Sequence, residues 1–125
     1  RPEYRECQMR YVMMICGDEA NWPADPAKAE AVIAEINAWF DKWLAEGKIA
    51  SGGAELDSVR TAKTISRGPD GRPVVTDGPY LELKEVVGGF VHLVTDDLDE
   101  ALAIASGWPT IHLGDKVEVR PVVER

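Results

Sequence analysis

The amino-acid sequence predicts an α+β domain in which two helices cover one face of an antiparallel sheet. The apolar runs Tyr11–Cys16 and Phe90–Thr95 are typical of strands that are covered on both faces. Apolar residues from Pro26 to about Glu46 recur at helical spacing, which predicts one long amphipathic helix. The predicted elements follow in the order strand, helix, strands, strand, helix, strand. This order is the ferredoxin-like plan β-α-β-β-α-β with an extra hairpin strand.

The long helix has clear start and stop signals. Asp25 is a favourable N-cap residue, Pro26 suits the first helical position, and Gly47 suits the position just after the end. The apolar stripe of this helix is wide and comprises Ala29, Val32, Ile33, Ile36, Trp39, Phe40, Trp43 and Leu44. We therefore expect the aromatic residues of this stripe, Trp39 and Phe40 among them, in the core rather than around a ligand.

Glycine and turn residues divide the middle of the chain. Ile49–Leu56 is predicted as a strand, and Gly52-Gly53 within it indicates a bulge or a close backbone approach. The turn tripeptide Pro69-Asp70-Gly71 predicts a hairpin between Thr61–Arg67 and Arg72–Thr76. Residues 81–87 are ambiguous between a loop and a short helical or extended piece.

The last part of the chain contains the second helix and the closing strand. Gly88-Gly89 before the strand at Phe90 is a second bulge signal. Asp97 is predicted to cap the second helix, with Glu100 in capping-box spacing, and Gly107 ends it. The buried stripe of this helix is predicted to comprise Leu98, Ala101, Leu102 and Ala105. Val117–Val123 alternates valine with charged residues, which is typical of a half-buried or edge strand.

The stretch from Gly68 to Phe90 reads GPDGRPVVTDGPYLELKEVVGGF and is dense in turn and glycine signals. Its part VVTDGPYLELKEVVGGF resembles the signature of the DGPF proteins, a branch of the YCII-related family, with Tyr80 in place of the usual Phe. The opening strand, the second helix start and the closing strand also resemble family segments, in the same order: Met9–Glu19, Asp97–Ala101 and Val117–Val122. The resemblance covers almost the whole chain, and it implies a dimeric α+β barrel.

The second face of the predicted sheet needs a cover. Tyr11–Cys16 and Phe90–Val94 are apolar on both faces, and no predicted helix remains to pack on the second one. Because exposed apolar sheet faces are rare on monomers, we expect a homodimer that buries this face. The barrel implied by the resemblance agrees with this independent argument.

Length and composition restrict the class of function. With 125 residues we expect a single domain over residues 9–125, preceded by an N-terminal extension of residues 1–8. The net charge of −8 argues against nucleic acid as a partner. No apolar run approaches the ~20 residues that span a membrane, so we expect no membrane partner.

The N-terminal residues and the two cysteines indicate the compartment of the protein, and the absence of ligand motifs bears on cofactors. The first eight residues lack the apolar region of a signal peptide, and Cys7 and Cys16 form no paired framework. These observations indicate a cytoplasmic protein with two free thiols. We expect no cofactor and no metal, because the sequence has no metal-ligand spacing and no phosphate-binding loop.

The candidate catalytic residues are Asp77, Tyr80 and His92. Asp77 and Tyr80 belong to a turn that Gly78-Pro79 makes rigid, and His92 points from the strand that follows. We expect them to border one cleft, in which Asp77 orients His92 as a general acid or base and Tyr80 donates to a substrate oxygen. The alternatives are a core, interface or surface-exposed histidine, a capping aspartate and a packed tyrosine.

Carboxylates at the predicted strand ends are the candidate substrate-binding residues: Asp18, Glu19 and Glu85. We expect Asp18 or Glu19 at the rim of the cleft, whereas the alternative role of all three is capping and solvation. Better-known members of the wider family carry a His–Asp pair with an early histidine. No histidine precedes His92 here, so that pair cannot be transferred to this sequence.

Three functions are compatible with these patterns. The first is a small acid/base enzyme of the isomerase or lyase type that acts on an acidic or phenolic molecule in a cleft of the barrel, as fold relatives such as lactone isomerases and dehydrochlorinases imply. The second is a ligand-binding or accessory protein without catalysis, for which the DGPF resemblance implies a link to extracytoplasmic-function sigma factors. The third is a purely structural dimer.

Overall fold

The structure is a computed structural model that describes residues 10–79 and 85–125. Its helices and strands are β1 (Arg10–Asp18), α1 (Pro26–Ala45), β2 (Ile49–Glu55), β3 (Lys63–Arg67), β4 (Pro73–Asp77), β5 (Glu85–Val94), α2 (Leu98–Ser106) and β6 (Lys116–Pro121). Short 3₁₀ turns occupy Glu19–Asn21, Val59–Thr61 and Pro109–Leu113. The α+β class and the order of elements predicted from the sequence are confirmed.

The central sheet has four antiparallel strands in the order β2-β5-β1-β6. This is the ferredoxin-like arrangement, in which β1 and β5 lie side by side in the middle. The strands β3 and β4 form a separate two-stranded sheet inserted between β2 and β5, and Gly71 has the positive φ of 83° that the predicted turn requires. Strand β5 begins at Glu85, five residues before the predicted start at Phe90.

Helix α1 begins and ends where its sequence signals predict. The Asp25 carboxylate accepts a hydrogen bond from the backbone N–H of Ala27 at 3.4 Å, and Pro26 occupies the first turn. Gly47, with a φ of 71°, takes the left-handed conformation just after the end. Helix α2 is also capped as predicted, by Asp97, but Glu100 does not return to the cap. Its carboxylate instead accepts hydrogen bonds from Lys48 and Thr95.

The core lies between the two helices and one face of the central sheet. Tyr11 and Met13 of β1 stand opposite Leu93 and Val91 of β5, and all four are buried. The helices and the connection after α2 cover them with Trp39, Ala101, Ile104, Ala105 and Trp108. Trp39 meets the Trp108 ring edge to face at 4.9 Å, so the prediction of a core tryptophan on α1 is confirmed.

Both helical stripes are narrower in the structure than in the prediction. On α1, Ile33 is 47% exposed and Leu44 is 55% exposed, and Phe40 is only partly buried. On α2, Leu98 and Leu102 are exposed, whereas Ile104 is completely buried. The prediction that these four aliphatic residues are buried is therefore wrong. On α1 the reason is that Ile33 and Leu44 line a pocket between this helix and β2 instead of joining the core cluster.

The two glycine pairs allow β2 and β5 to approach closely. A Cβ on Gly53 would lie 2.5 Å from the carbonyl oxygen of Phe90, and a Cβ on Gly89 would lie 3.0 Å from that of Ala54. The β2–β5 ladder is irregular between Ala50 and Ala54, and the β1–β5 ladder shifts register next to Gly89. The predicted bulges are therefore confirmed, and both lie between neighbouring strands of the central sheet.

The other face of the central sheet carries half-buried side chains. Val12 stands opposite His92, and Met14 stands opposite Phe90. Side chains alternate along a strand, so these four point away from the face that the core residues Tyr11, Met13, Val91 and Leu93 share with the helices. Among the described elements, both helices contribute to the core on the opposite side.

Candidate functional site

A pocket of about 780 Å³ lies between α1, the bulged part of β2 and the adjacent part of β5. Its apolar wall includes Ile33, Ile36, Phe40, Leu44, Ile49 and Trp108. The exposed aliphatic residues of α1 therefore face this space rather than open solvent alone. A pocket of this volume and lining is of the kind that holds small organic molecules.

The bulge in β2 gives the pocket a polar backbone wall. Three residues, Ser51, Gly52 and Gly53, stand opposite the single residue Val91, and all four line the pocket. In a bulge the extra residues leave the regular ladder, so their N–H and C=O groups are not all used by the neighbouring strand. This wall can therefore supply hydrogen bonds to a bound molecule.

The end of the pocket near β6 carries a fixed carboxylate. Asp115 accepts a hydrogen bond from the side-chain amide of Asn21 at 3.0 Å, and its backbone N–H donates to the Thr110 carbonyl at 3.2 Å. The Asp115 carboxylate lies over Gly17, at a place that a Cβ on residue 17 would occupy. The indole N–H of Trp108 donates to the Thr110 hydroxyl at 2.7 Å, which fixes the neighbouring wall.

Sequence reasoning did not find Asp115 or Asn21 as site residues. They are 94 positions apart, and neither belongs to a recognised motif. The one local signal is Gly17, directly after the apolar run Tyr11–Cys16. Its lack of a side chain is what allows Asp115 to lie against β1.

The predicted substrate-binding carboxylates hold local structure together. Asp18 accepts a hydrogen bond from the backbone of Ala20 at 2.9 Å and so caps the first 3₁₀ turn. Glu19 accepts from the Ser58 hydroxyl and the Val59 N–H, both at 2.9 Å, and ties this turn to the connection after β2. Glu85 pairs with Lys116 at 2.5 Å. These contacts match the alternative role of capping and solvation, and none of the three residues lines the pocket.

Two of the predicted catalytic residues, Asp77 and His92, lie outside this pocket. Asp77 is at the end of the hairpin, where its carboxylate is 90% exposed and pairs with Lys63 at 2.6 Å. His92 lies on the sheet face away from the helices, edge-on to the Phe90 ring at 5.9 Å. Tyr80 lies outside the described residues. Neither Asp77 nor His92 lines the pocket, and a cleft shared by these two residues and Tyr80 stays a prediction.

The Cys16 thiol lies on β1 near the Asp115 end of the pocket. Burial raises the pKa of this thiol, and the carboxylates of Glu118, Asp115 and Glu85 raise it further because they disfavour a second negative charge. A thiol whose pKa is raised is a weak nucleophile at neutral pH. Cys16 therefore has the character of a structural residue.

Residues 10–79 and 85–125 contain neither a metal-binding cluster nor a membrane-spanning helix. In this part of the chain, no group of three or more His, Cys, Asp or Glu side chains is arranged to hold a metal ion. None of its helices combines the length and the apolar character needed to cross a membrane.

Comparison with known protein families gives a match. The model of the YCII-related domain family matches residues 9–125. A search of curated proteins found no match to the sequence.

Proposed function

The chain belongs to the YCII-related domain family, and we propose that it binds a small organic molecule in the pocket between α1, β2 and β5. The observation that supports this function is the exposed apolar wall of α1. Ile33 and Leu44 are about half exposed, and both line the pocket. Exposed apolar area costs free energy, roughly 25 cal/mol per Å², and a ligand in the pocket would recover part of it.

The polar groups of the pocket suit recognition. The bulged backbone of Ser51–Gly53 offers hydrogen bonds on one side, and the Asp115 carboxylate offers them at the end. A mostly apolar cavity with a few oriented polar groups is the usual design of a ligand site. Binding needs only these described groups, whereas Asp77 and His92, the residues predicted for acid/base chemistry, do not line this pocket. The binding function is therefore the one that the geometry supports best.

A second copy of the chain is part of the proposal. The half-buried side chains of Val12, Met14, Phe90 and His92 form an apolar patch with one polar ring on the open face of the sheet. Packing this face against its own copy would bury the patch with a two-fold arrangement. A homodimer of this kind leaves the pocket on the helix side of each sheet.

The binding proposal is tested with a neutral probe, naphthalene-1-methanol, by isothermal titration calorimetry. We expect one probe to bind per chain, and we expect the substitution Leu44→Ala to weaken binding by about 1 kcal/mol, roughly fivefold, because it removes apolar wall area. The matched control is Leu102→Ala. Leu102 is a leucine of similar exposure on α2, and it does not line the pocket.

The two leucine variants separate specific from general binding. Equal weakening by Leu44→Ala and Leu102→Ala would show that the probe adheres to exposed apolar surface, which would contradict the proposal. Absence of probe binding to the unmodified protein would contradict it directly.

A further inference from the structure

The described ionisable side chains that line the pocket are all acidic. Among the described residues that line it, the ionisable side chains are Glu55 and Asp115, and no Lys, Arg or His is present. An anionic ligand would bring its charge toward two carboxylates without a cation to pair with it. The net charge of −8 adds to this repulsion.

Asp115 is oriented and retains capacity for a ligand. The hydrogen bond from Asn21 uses one site on Oδ1, whereas an ionised carboxylate can accept about four hydrogen bonds. In the described part of the chain no basic side chain makes an ion pair with Asp115, and the adjacent Lys116 is engaged by Glu85. A half-buried carboxylate of this kind favours a cationic partner, because a charge-assisted hydrogen bond is stronger than a neutral one.

Aromatic side chains complete the wall. Trp22, Phe40 and Trp108 line the pocket, and Trp22 follows directly after the Asn21 that orients Asp115. Aromatic faces stack on flat apolar groups and attract cations. The lining therefore combines a surface for an apolar body with a negative group at one end.

The thiol of Cys16 responds to the same electrostatic environment. Asp115 is one of the carboxylates that raise its pKa, after burial and Glu118. This response agrees with a negative potential at the Asp115 end of the pocket.

We propose that the pocket selects an organic cation: an amine with an apolar or aromatic body, whose ammonium group pairs with Asp115. This inference rests on the proposed ligand-binding function and adds the chemical class of the ligand. It differs from the acidic or phenolic molecule that the sequence patterns suggested. The amine donates hydrogen bonds to the free carboxylate positions, and its body packs against Trp22, Phe40 and the apolar side of α1.

The test compares three probes that share one ring system and differ in charge: 1-naphthylmethylamine, naphthalene-1-methanol and 1-naphthoate. At neutral pH and low salt we expect the amine to bind about tenfold more tightly than the alcohol, and the carboxylate to bind most weakly. Asp115→Asn should remove the advantage of the amine, so that the amine and the alcohol bind this variant with similar affinity. The control Asp99→Asn changes the net charge equally, but Asp99 is exposed on α2 outside the pocket lining, so this variant should preserve the advantage.

Each outcome tests a different part of the proposal. Equal binding of the amine and the alcohol would overturn the cation preference and leave the ligand-binding function in place. An amine advantage that survives in Asp115→Asn would overturn the assignment to Asp115. If none of the three probes binds to the folded protein, the proposed function fails and this inference fails with it.

Discussion

Replacement of Trp39 tests the core most directly. This side chain is 6% exposed, and its indole N–H donates to the buried carbonyl of Ile104 at 3.1 Å. Its ring also meets Phe40 and Trp108 edge to face, with centroids 5.1 and 4.9 Å away. Trp39→Ala therefore removes a packed ring, a buried hydrogen bond and two aromatic contacts. We expect it to lower the free energy of unfolding by about 4–5 kcal/mol, the upper part of the range for large core truncations.

Trp39→Phe separates the hydrogen bond from the packing. The carbonyl of Ile104 also accepts from the backbone N–H of Gly107 at 3.3 Å, so loss of the indole donor does not leave this acceptor without a partner. We therefore expect a smaller loss of about 1–2 kcal/mol for Trp39→Phe, from the hydrogen bond and part of the ring area. Phe40→Ala should cost about 2 kcal/mol, because Phe40 is only partly buried and faces the pocket.

Urea unfolding followed by far-ultraviolet circular dichroism measures all three variants, since a fluorescence signal would change with the tryptophan itself. Protein concentration is kept constant because association shifts apparent stability. A loss below about 1 kcal/mol for Trp39→Ala would refute the core position of Trp39. Equal losses for Trp39→Ala and Phe40→Ala would refute the difference in burial between the two aromatic residues.

The remaining predictions concern the open sheet face and the thiol. Sedimentation should show a homodimer at micromolar concentration, and Met14→Lys should dissociate it because a charge would be buried on the shared face. The control Leu102→Lys, on the exposed side of α2, should leave the dimer intact. A monomeric unmodified protein would contradict the proposed interface. Because the pKa of the Cys16 thiol is raised in the folded state, its thiolate fraction at mildly alkaline pH is lower than in the unfolded chain. In a Cys7→Ser background, iodoacetamide should therefore modify Cys16 more slowly in the folded protein than in urea, and equal rates would contradict the influence of burial and the nearby carboxylates.

Much of the fold could be predicted because its signals are local. Asp25-Pro26 and Gly47 mark the ends of α1 by capping chemistry that operates within a few residues. The turn around Gly71 follows from the positive φ that glycine accepts, and the two glycine pairs mark the close strand approach that the lack of a Cβ allows. These rules depend on neighbouring positions, so they can be read without knowledge of the tertiary structure.

The candidate site depended on contacts between distant parts of the chain. The apolar pattern of α1 predicted which side chains avoid water on an isolated helix, but it could not show where the helix leaves the sheet. That departure makes Ile33 and Leu44 a pocket wall instead of core. The same limit applies to charged groups, since Glu19 reaches Ser58 across 39 positions and Asn21 reaches Asp115 across 94.

The sequence by itself determined the elements, their order and the antiparallel plan, because periodicity and capping are properties of short segments. Only the tertiary structure decided that Glu19 joins the first turn to the connection after β2 and that Asp115 lies in the pocket. Asp18, Glu19 and Asp115 are the same kind of group in the sequence, and their roles differ through the partners that the fold places beside them. A side chain acquires a role in a site from the backbone groups, charges and apolar surface around it, and the fold brings those together from positions far apart in the chain.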